Sequence, residues 1–414
     1  MDRIRRVILQ NVRAIRDLDL RVSAPFTVLI GENGAGKSTV VECLELLRKA
    51  AEPGFLSAVN TQHRGAFGLL RRGATSMTLG VEIEDDAGQL PTMRYLLTLT
   101  ALGGFFSVAE ERLETLNKGP EERVLWRAWR GVGQEASVTI QKRAPKRPLP
   151  KVRFDIPDDA LLLTSEHVPA AHRERARAAL RGIEVQVGVN TLAGWVAMGL
   201  QLQQPLRGAS LLVPAARLGL LGQNLASAWS QLKNVDDAHW RRTMALVRLG
   251  LGAVIDSVNI TIDPGGGAVA LSLKRADMLE AIPAATLSDG QLTWLAMVAM
   301  VQLNPDRALL VIDEPERHLH PHLLAALMEL LKGAGSPVLL ATHSDAVLEL
   351  LDDPADAVRV GALVEGGEAV FSQLDPEALA DWLARFGDLG TLRARGLLPM
   401  VIASPQTPKV EEGP

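Results

Sequence analysis

With 414 residues, 47% of them apolar, the chain carries enough hydrophobic surface for one large core or two ordinary ones, which excludes a predominantly disordered protein. A formal net charge of −4 excludes a surface coated in positive charge, and a single cysteine, Cys43, excludes a disulfide framework. No apolar run approaches the roughly 20 residues of a membrane helix, and Met1 to Arg6 lead into no signal-type apolar stretch, so a cytoplasmic location with no membrane partner is expected.

Ile4 to Ile30 reads as two or three short strands, ending in Phe26-Thr-Val-Leu-Ile30, whose unbroken apolar character suits a strand covered on both faces. A glycine-rich loop follows, after which Val40, Val41, Leu44 and Leu47 fall at helical spacing. From Met77 to Leu163 the pattern turns to alternation, as in Leu79-Gly-Val-Glu-Ile-Glu84 and Arg94-Tyr-Leu-Leu-Thr-Leu-Thr100, predicting an antiparallel β lobe. Within it, Lys142, Arg143, Lys146, Arg147, Lys151 and Arg153 are interleaved with prolines that forbid a helix, leaving either a solvated loop or a phosphate-contacting one. Ala170 to Ile255 reads as helical, most clearly over Asn224–Leu232 and Ala238–Leu251. Strand patterning returns at Val258–Ile262 and Val269–Leu273, around the turn Pro264-Gly-Gly-Gly267. Beyond Leu287, helices alternate with short apolar strands, as in a covered, mostly parallel sheet. Residues 403–414 offer nothing to bury and read as a disordered tail.

Four motifs carry chemistry. Gly31-Glu-Asn-Gly-Ala-Gly-Lys-Ser-Thr39 matches the phosphate-binding pattern G-x-x-x-x-G-K-[ST], here between a strand and a helix. Backbone N–H groups along Asn33, Gly34, Ala35 and Gly36 converge on a phosphate, and the helix from Lys37 through Thr39 turns its positive end to the same anion. Lys37 serves the β and γ phosphates as a point charge, and the Ser38 hydroxyl is a magnesium ligand. Ala308-Leu-Leu-Val-Ile-Asp-Glu314 is a buried strand releasing Asp313 at its C-terminal end, where an open α/β sheet binds ligands. Asp313 suits magnesium, and Glu314, one residue on, suits a general base toward water. Alone, such a strand is weak evidence; downstream of a phosphate loop it is strong. Val338-Leu-Leu-Ala-Thr-His-Ser344 repeats the arrangement and places His343 to hydrogen-bond a γ-phosphate. In Leu287-Ser-Asp-Gly-Gln291, Ser288 is an N-cap for the following helix, and serine, glycine and helix terminus together form an anion site.

This order of motifs resembles the ABC ATPases. The run Asp313-Glu-Pro-Glu-Arg-His-Leu-His-Pro321 and the segment Asn11-Val-Arg-Ala-Ile-Arg-Asp-Leu18 are similar to the branch containing RecF-like, SMC-like and OLD-family ATPases, AAA_21-like, rather than to transporter subunits. The resemblance implies an α/β P-loop NTPase fold, an ABC-ATPase head over residues 1–402. It would comprise an antiparallel β lobe (77–163), a helical insert (170–255), a mostly parallel core sheet and a motif-bearing region (287–350). It implies ATP and Mg2+, and an ATP-dependent homodimer in which Ser288, Gly290 and Gln291 of one copy cap the γ-phosphate held by the other. Arg13 and Asn33 would lie near the nucleotide, and Glu316 to His320 would cross the dimer seam. A glutamine sensing the γ-phosphate is expected after the first lobe; Gln62 and the turn Thr164-Ser-Glu-His167 are the candidates for its place. His318, His320 and His322 invite a metal-site reading, although the family loop already explains two of the three.

OLD-family nucleases carry a Toprim domain after the ATPase, but Val364-Glu-Gly-Gly-Glu368 has no later Asp-x-Asp and reads as strand, turn, strand. The insert is too short for SMC-like coiled-coil arms. The expected function is therefore an ATP-hydrolysing switch in DNA repair or anti-phage defence, serving a separate effector protein such as a nuclease, with DNA as a candidate partner. The alternative is an ATP-gated protein-docking module without DNA action; a transporter subunit comes third and a small-molecule kinase fourth.

Overall fold

A computed structural model of the protein describes residues 1–63, 65–117, 123–132, 135–140, 151–191, 206–317 and 319–402. The chain opens with a hairpin of β1 (Asp2–Val12) and β2 (Ile15–Arg21), and Asn11 and Arg13 take positive φ at its turn. β3 (Phe26–Gly31), buried at every position, leads through the glycine loop into α1 (Lys37–Ala50). Two short helices, α2 (Phe55–Gln62) and α3 (Ala66–Leu69), precede the lobe strands β4 (Ser76–Asp85), β5 (Thr92–Leu102), β6 (Phe105–Leu116), β7 (Val124–Arg130), β8 (Glu135–Ile140) and β9 (Lys151–Asp155). These six join the first hairpin in one antiparallel sheet, in the order β2-β1-β4-β5-β6-β7-β8-β9. Alternation explains its sidedness: Met77, Leu79, Val81 and Ile83 bury themselves against α1, while Thr78 and Glu82 face outward. The basic stretch expected to be a loop is strand at its end, because Lys151–Asp155 pairs with β8. Lys142, Arg143, Lys146 and Arg147 lie outside the described residues.

After α4 (Ala170–Arg181), the region expected to be wholly helical is interrupted by β10 (Ile183–Gln186). β11 (Ser210–Leu211), α5 (Leu225–Lys233), α6 (Asp237–Leu251), β12 (Ile255–Ile262), β13 (Ala268–Arg275) and β14 (Ile282–Pro283) follow, the four strands forming a small antiparallel sheet. The chain then alternates through α7 (Asp289–Leu303), β15 (Leu309–Asp313), α8 (Pro321–Lys332) and β16 (Val338–Thr342). It finishes with α9 (Asp345–Glu349), α10 (Pro354–Ala357), β17 (Val358–Val364), β18 (Glu368–Gln373), α11 (Pro376–Phe386) and α12 (Leu389–Ala394). β17 and β18 are the strand, turn, strand read at Val364 to Glu368.

The core sheet runs β10-β15-β16-β3-β17-β18 and is parallel except for the final hairpin. Alternate residues of its strands feed two hydrophobic cores. Leu29, Val311 and Leu339 pack with α1, whereas Val28, Ile30, Leu310, Ile312 and Leu340 pack with α7 and α8. Cover on both faces is why these strands read as unbroken apolar runs. Two buried arginines stitch the parts together: Arg307 pairs with Glu184 of β10 at 2.9 Å, and Arg3 of β1 donates to the carbonyls of Arg307 and Gly335. Among the described residues, no helix is long and apolar enough to cross a membrane.

Candidate active site

The loop after β3 is shaped by what its glycines lack. A side chain at Gly31 would meet the carbonyl oxygen of Gly361 on β17 at 2.1 Å, so the strand end accepts nothing larger. Gly34 and Gly36 adopt φ of 84° and 86°, a conformation that favours glycine. Gly36 is also the N-cap of α1 and no side chain caps the helix, so its first N–H groups stay available to an anion. Asn33 lies exposed on this loop, while Ala35 and Thr39 are buried beneath it. Lys37 is only 5% exposed, and its Nζ donates to the carbonyls of Gly31 at 2.7 Å and Glu32 at 3.0 Å. Burial, followed by the charge of Arg393, holds its pKa below the ordinary lysine value.

Asp313 ends β15 and lines the same cavity as Ser38 of the loop. Burial pushes the Asp313 pKa upward, so the group would gain from a cation. Glu314 takes the left-handed conformation, with φ of 52°, as its N–H donates to Ala341 at 2.7 Å. Such strain in a non-glycine residue costs on the order of 1 kcal/mol and gathers at functional positions. One strand over, His343 follows β16. The Glu316 side chain, at the start of the loop expected to cross a dimer seam, reaches to the end of β16. Its Oε1 accepts from Thr342 Oγ1 at 2.8 Å and from the His343 N–H at 3.0 Å. From the other side, Arg393 of α12 donates Nη1 to the His343 carbonyl at 2.7 Å and to Asp345 Oδ1 at 2.6 Å.

A further glutamine, on β10, lies near this sheet edge. Gln186 pairs in register with Ile312 at the same sheet edge as Asp313, and its Nε2 donates to the carbonyls of Gly188 and Leu220. Gln62 borders a cavity of about 320 Å3 beside Ser38 and Asp313, but its Oε1 is occupied by Lys49 at 2.6 Å. Thr164 closes a short helical turn, and the His167 ring stacks on Phe154. Arg13 engages α1 rather than the loop itself, pairing with Glu42 at 2.5 Å and donating to Gly68 at 2.9 Å.

Ser288 caps α7 in a reciprocal box: its Oγ accepts from the Gln291 N–H at 3.3 Å, and Gln291 Oε1 accepts from the Ser288 N–H at 2.9 Å. The box holds Ser288, Gly290 and Gln291 together at the start of the helix. Arg207, which sequence reasoning did not single out, fixes this segment through Asp289 Oδ1 at 2.5 Å and the Leu287 carbonyl at 2.7 Å. His320 and His322 approach at 2.8 Å through their Nδ1 atoms, His318 lies outside the described residues, and no metal-binding group of three appears among the described residues.

A phosphate loop, an acid pair and a histidine delivered to one edge of a parallel sheet, beside an antiparallel lobe, define a P-loop NTPase of the ABC-head class. The chain belongs to the family described as "AAA domain, putative AbiEii toxin, Type IV TA system", which it matches over residues 26–349. It is similar to the DNA replication and repair protein RecF of Actinobacillus succinogenes, 26% identical over 145 residues that cover 30% of this chain and 38% of that protein. The chain thus spans about two fifths of that relative's length. The fold is similar to an SMC head bound to the C-terminal winged-helix domain of ScpA, with a TM-score of 0.50 and 14% identity over 91% of this chain and 99% of that one. An SMC head from Pyrococcus furiosus aligns with a TM-score of 0.49 and 13% identity over 93% and 99% of the two chains. Family and fold together make the chain a P-loop NTPase of the AAA type with a head similar to those of SMC proteins.

Proposed function

We propose that the chain binds and hydrolyses ATP and uses it to close two copies head to tail. The observation that carries this reading is the convergence of Lys37, the Ser38–Asp313 pair, Glu314 and His343 on one edge of the core sheet, from β3, β15 and β16. The residues fit the nucleotide: an uncapped helix start, two left-handed glycines and a buried lysine resting on carbonyls that phosphate oxygens would replace. They fit Mg2+ as well, with Ser38 and Asp313 as its holders; when bound, the ion neutralises charge developing on the β and γ phosphate oxygens. Glu314 accepts the proton of the attacking water, and His343 donates to the γ-phosphate. Ser288 and Gly290, presented at the end of α7, complete the pocket of the second copy.

Replacing Glu314 by Gln should retain ATP binding, cut turnover by about 100-fold or more and trap a dimer with ATP-Mg2+, read by light scattering on a sizing column. A Glu314→Gln chain that stays monomeric with ATP and turns over at the wild-type rate rejects the proposal. For the biological role, the RecF match supports genome maintenance, and the toxin named in the family description supports anti-phage defence, in either case through a separate effector such as a nuclease. ATPase assays with and without DNA separate this from a protein-docking module, which DNA would leave unchanged.

A further inference from the structure

We propose that Arg393 is a positioning residue of the hydrolytic site, holding the His343 peptide so that the C-terminal helix α12 becomes part of γ-phosphate recognition. This rests on the hydrolytic reading above. The His343 backbone is clamped at both ends, its N–H by Glu316 and its carbonyl by Arg393, while its imidazole carries the function. Arg393 is anchored in turn by Asp345 at 2.6 Å, so one guanidinium nitrogen joins the end of β16 to the first turn of α9. α12 reaches this place because Gly390 allows it. A Cβ there would stand 3.2 Å from Asp345 Cβ and 2.8 Å from Glu349 Oε1. The helix start is fixed by Asp388, which accepts from the Thr391 N–H at 2.6 Å and its Oγ1 at 2.8 Å. Any shift of α12 is therefore transmitted to the His343 peptide.

The test uses the full chain, with steady-state ATPase kinetics and fluorescent ATP and ADP analogues as affinity probes. In Arg393→Ala, kcat should fall by about 10- to 100-fold, the size expected when a reacting group is displaced by about 1 Å. ATP affinity should fall by less than about 3-fold, with the preference for ATP over ADP reduced. Asp345→Asn should lower kcat by several-fold, and the double variant should be no worse than Arg393→Ala, because both changes break one clamp. Arg385→Ala, on the exposed face of α11, is the control with unchanged turnover. Should Arg393→Ala fail to fold, Asp345→Asn decides. Wild-type kcat in the folded variants overturns the inference while leaving the ATPase reading intact; an unmodified chain that hydrolyses nothing overturns both.

Discussion

Glu111, in the middle of β6, is fully buried and spends both carboxylate oxygens on structure: Oε1 accepts from the Tyr95 hydroxyl at 2.9 Å and Oε2 from the Leu162 N–H at 2.7 Å. Burial outweighs these bonds and raises its pKa from 4.5 to about 7. Folding therefore takes up a proton between those two values. The contribution is fully present below the unfolded pKa and is lost as pH rises through the folded one. Comparing thermal midpoints of Glu111→Gln and the unmodified chain isolates the group: the difference should move in the variant's favour as pH goes from 5 to 8, and a pH-independent difference contradicts the assignment. Glu111 was invisible in the sequence, where an acid in an alternating strand reads as solvated. Lys37, Ser38, Asp313, Glu314 and His343 were legible because phosphate chemistry demands those residue types at strand ends in contiguous, ordered motifs. Glu316 and Arg393 were not, since what they do is set by His343, 27 and 50 positions away in the chain.

At the scale of elements, β3, β15 and β16 could be read from composition because burial on both faces leaves only apolar residues. β10 could not: it has four residues, and two of them, Glu184 and Gln186, are polar groups made acceptable in the core by Arg307 and by two carbonyls. That concealed strand split the region read as helical. Gln186 now clasps the segment that contains Leu220, so its removal should loosen that segment rather than the sheet. Hydrogen exchange followed by mass spectrometry should show residues 217–224 exchanging faster in Gln186→Ala, with β15 unchanged. Unchanged exchange at 217–224 would mean that other contacts hold the segment.

At the scale of the whole molecule, the phosphate loop and the α7 start are organised independently. The loop is fixed by β17 and by Lys37 on its own carbonyls, and the α7 start by Arg207 and its capping box. On the proposed head-to-tail dimer, each would supply half of a pocket. Lys37→Ala destroys the first half and should weaken ATP binding itself; Ser288→Arg fills the second and should leave ATP affinity nearly intact while abolishing turnover. Each variant alone is then inactive. Mixing equal amounts must create heterodimers in which one pocket pairs the intact loop of the Ser288→Arg copy with the intact helix start of the Lys37→Ala copy. Random assortment makes half of the dimers mixed, each with one of its two pockets whole, so turnover should recover to about a quarter of the unmodified rate. A chain that completes its own pocket gives no recovery at any mixing ratio, because every copy carries one disabled half.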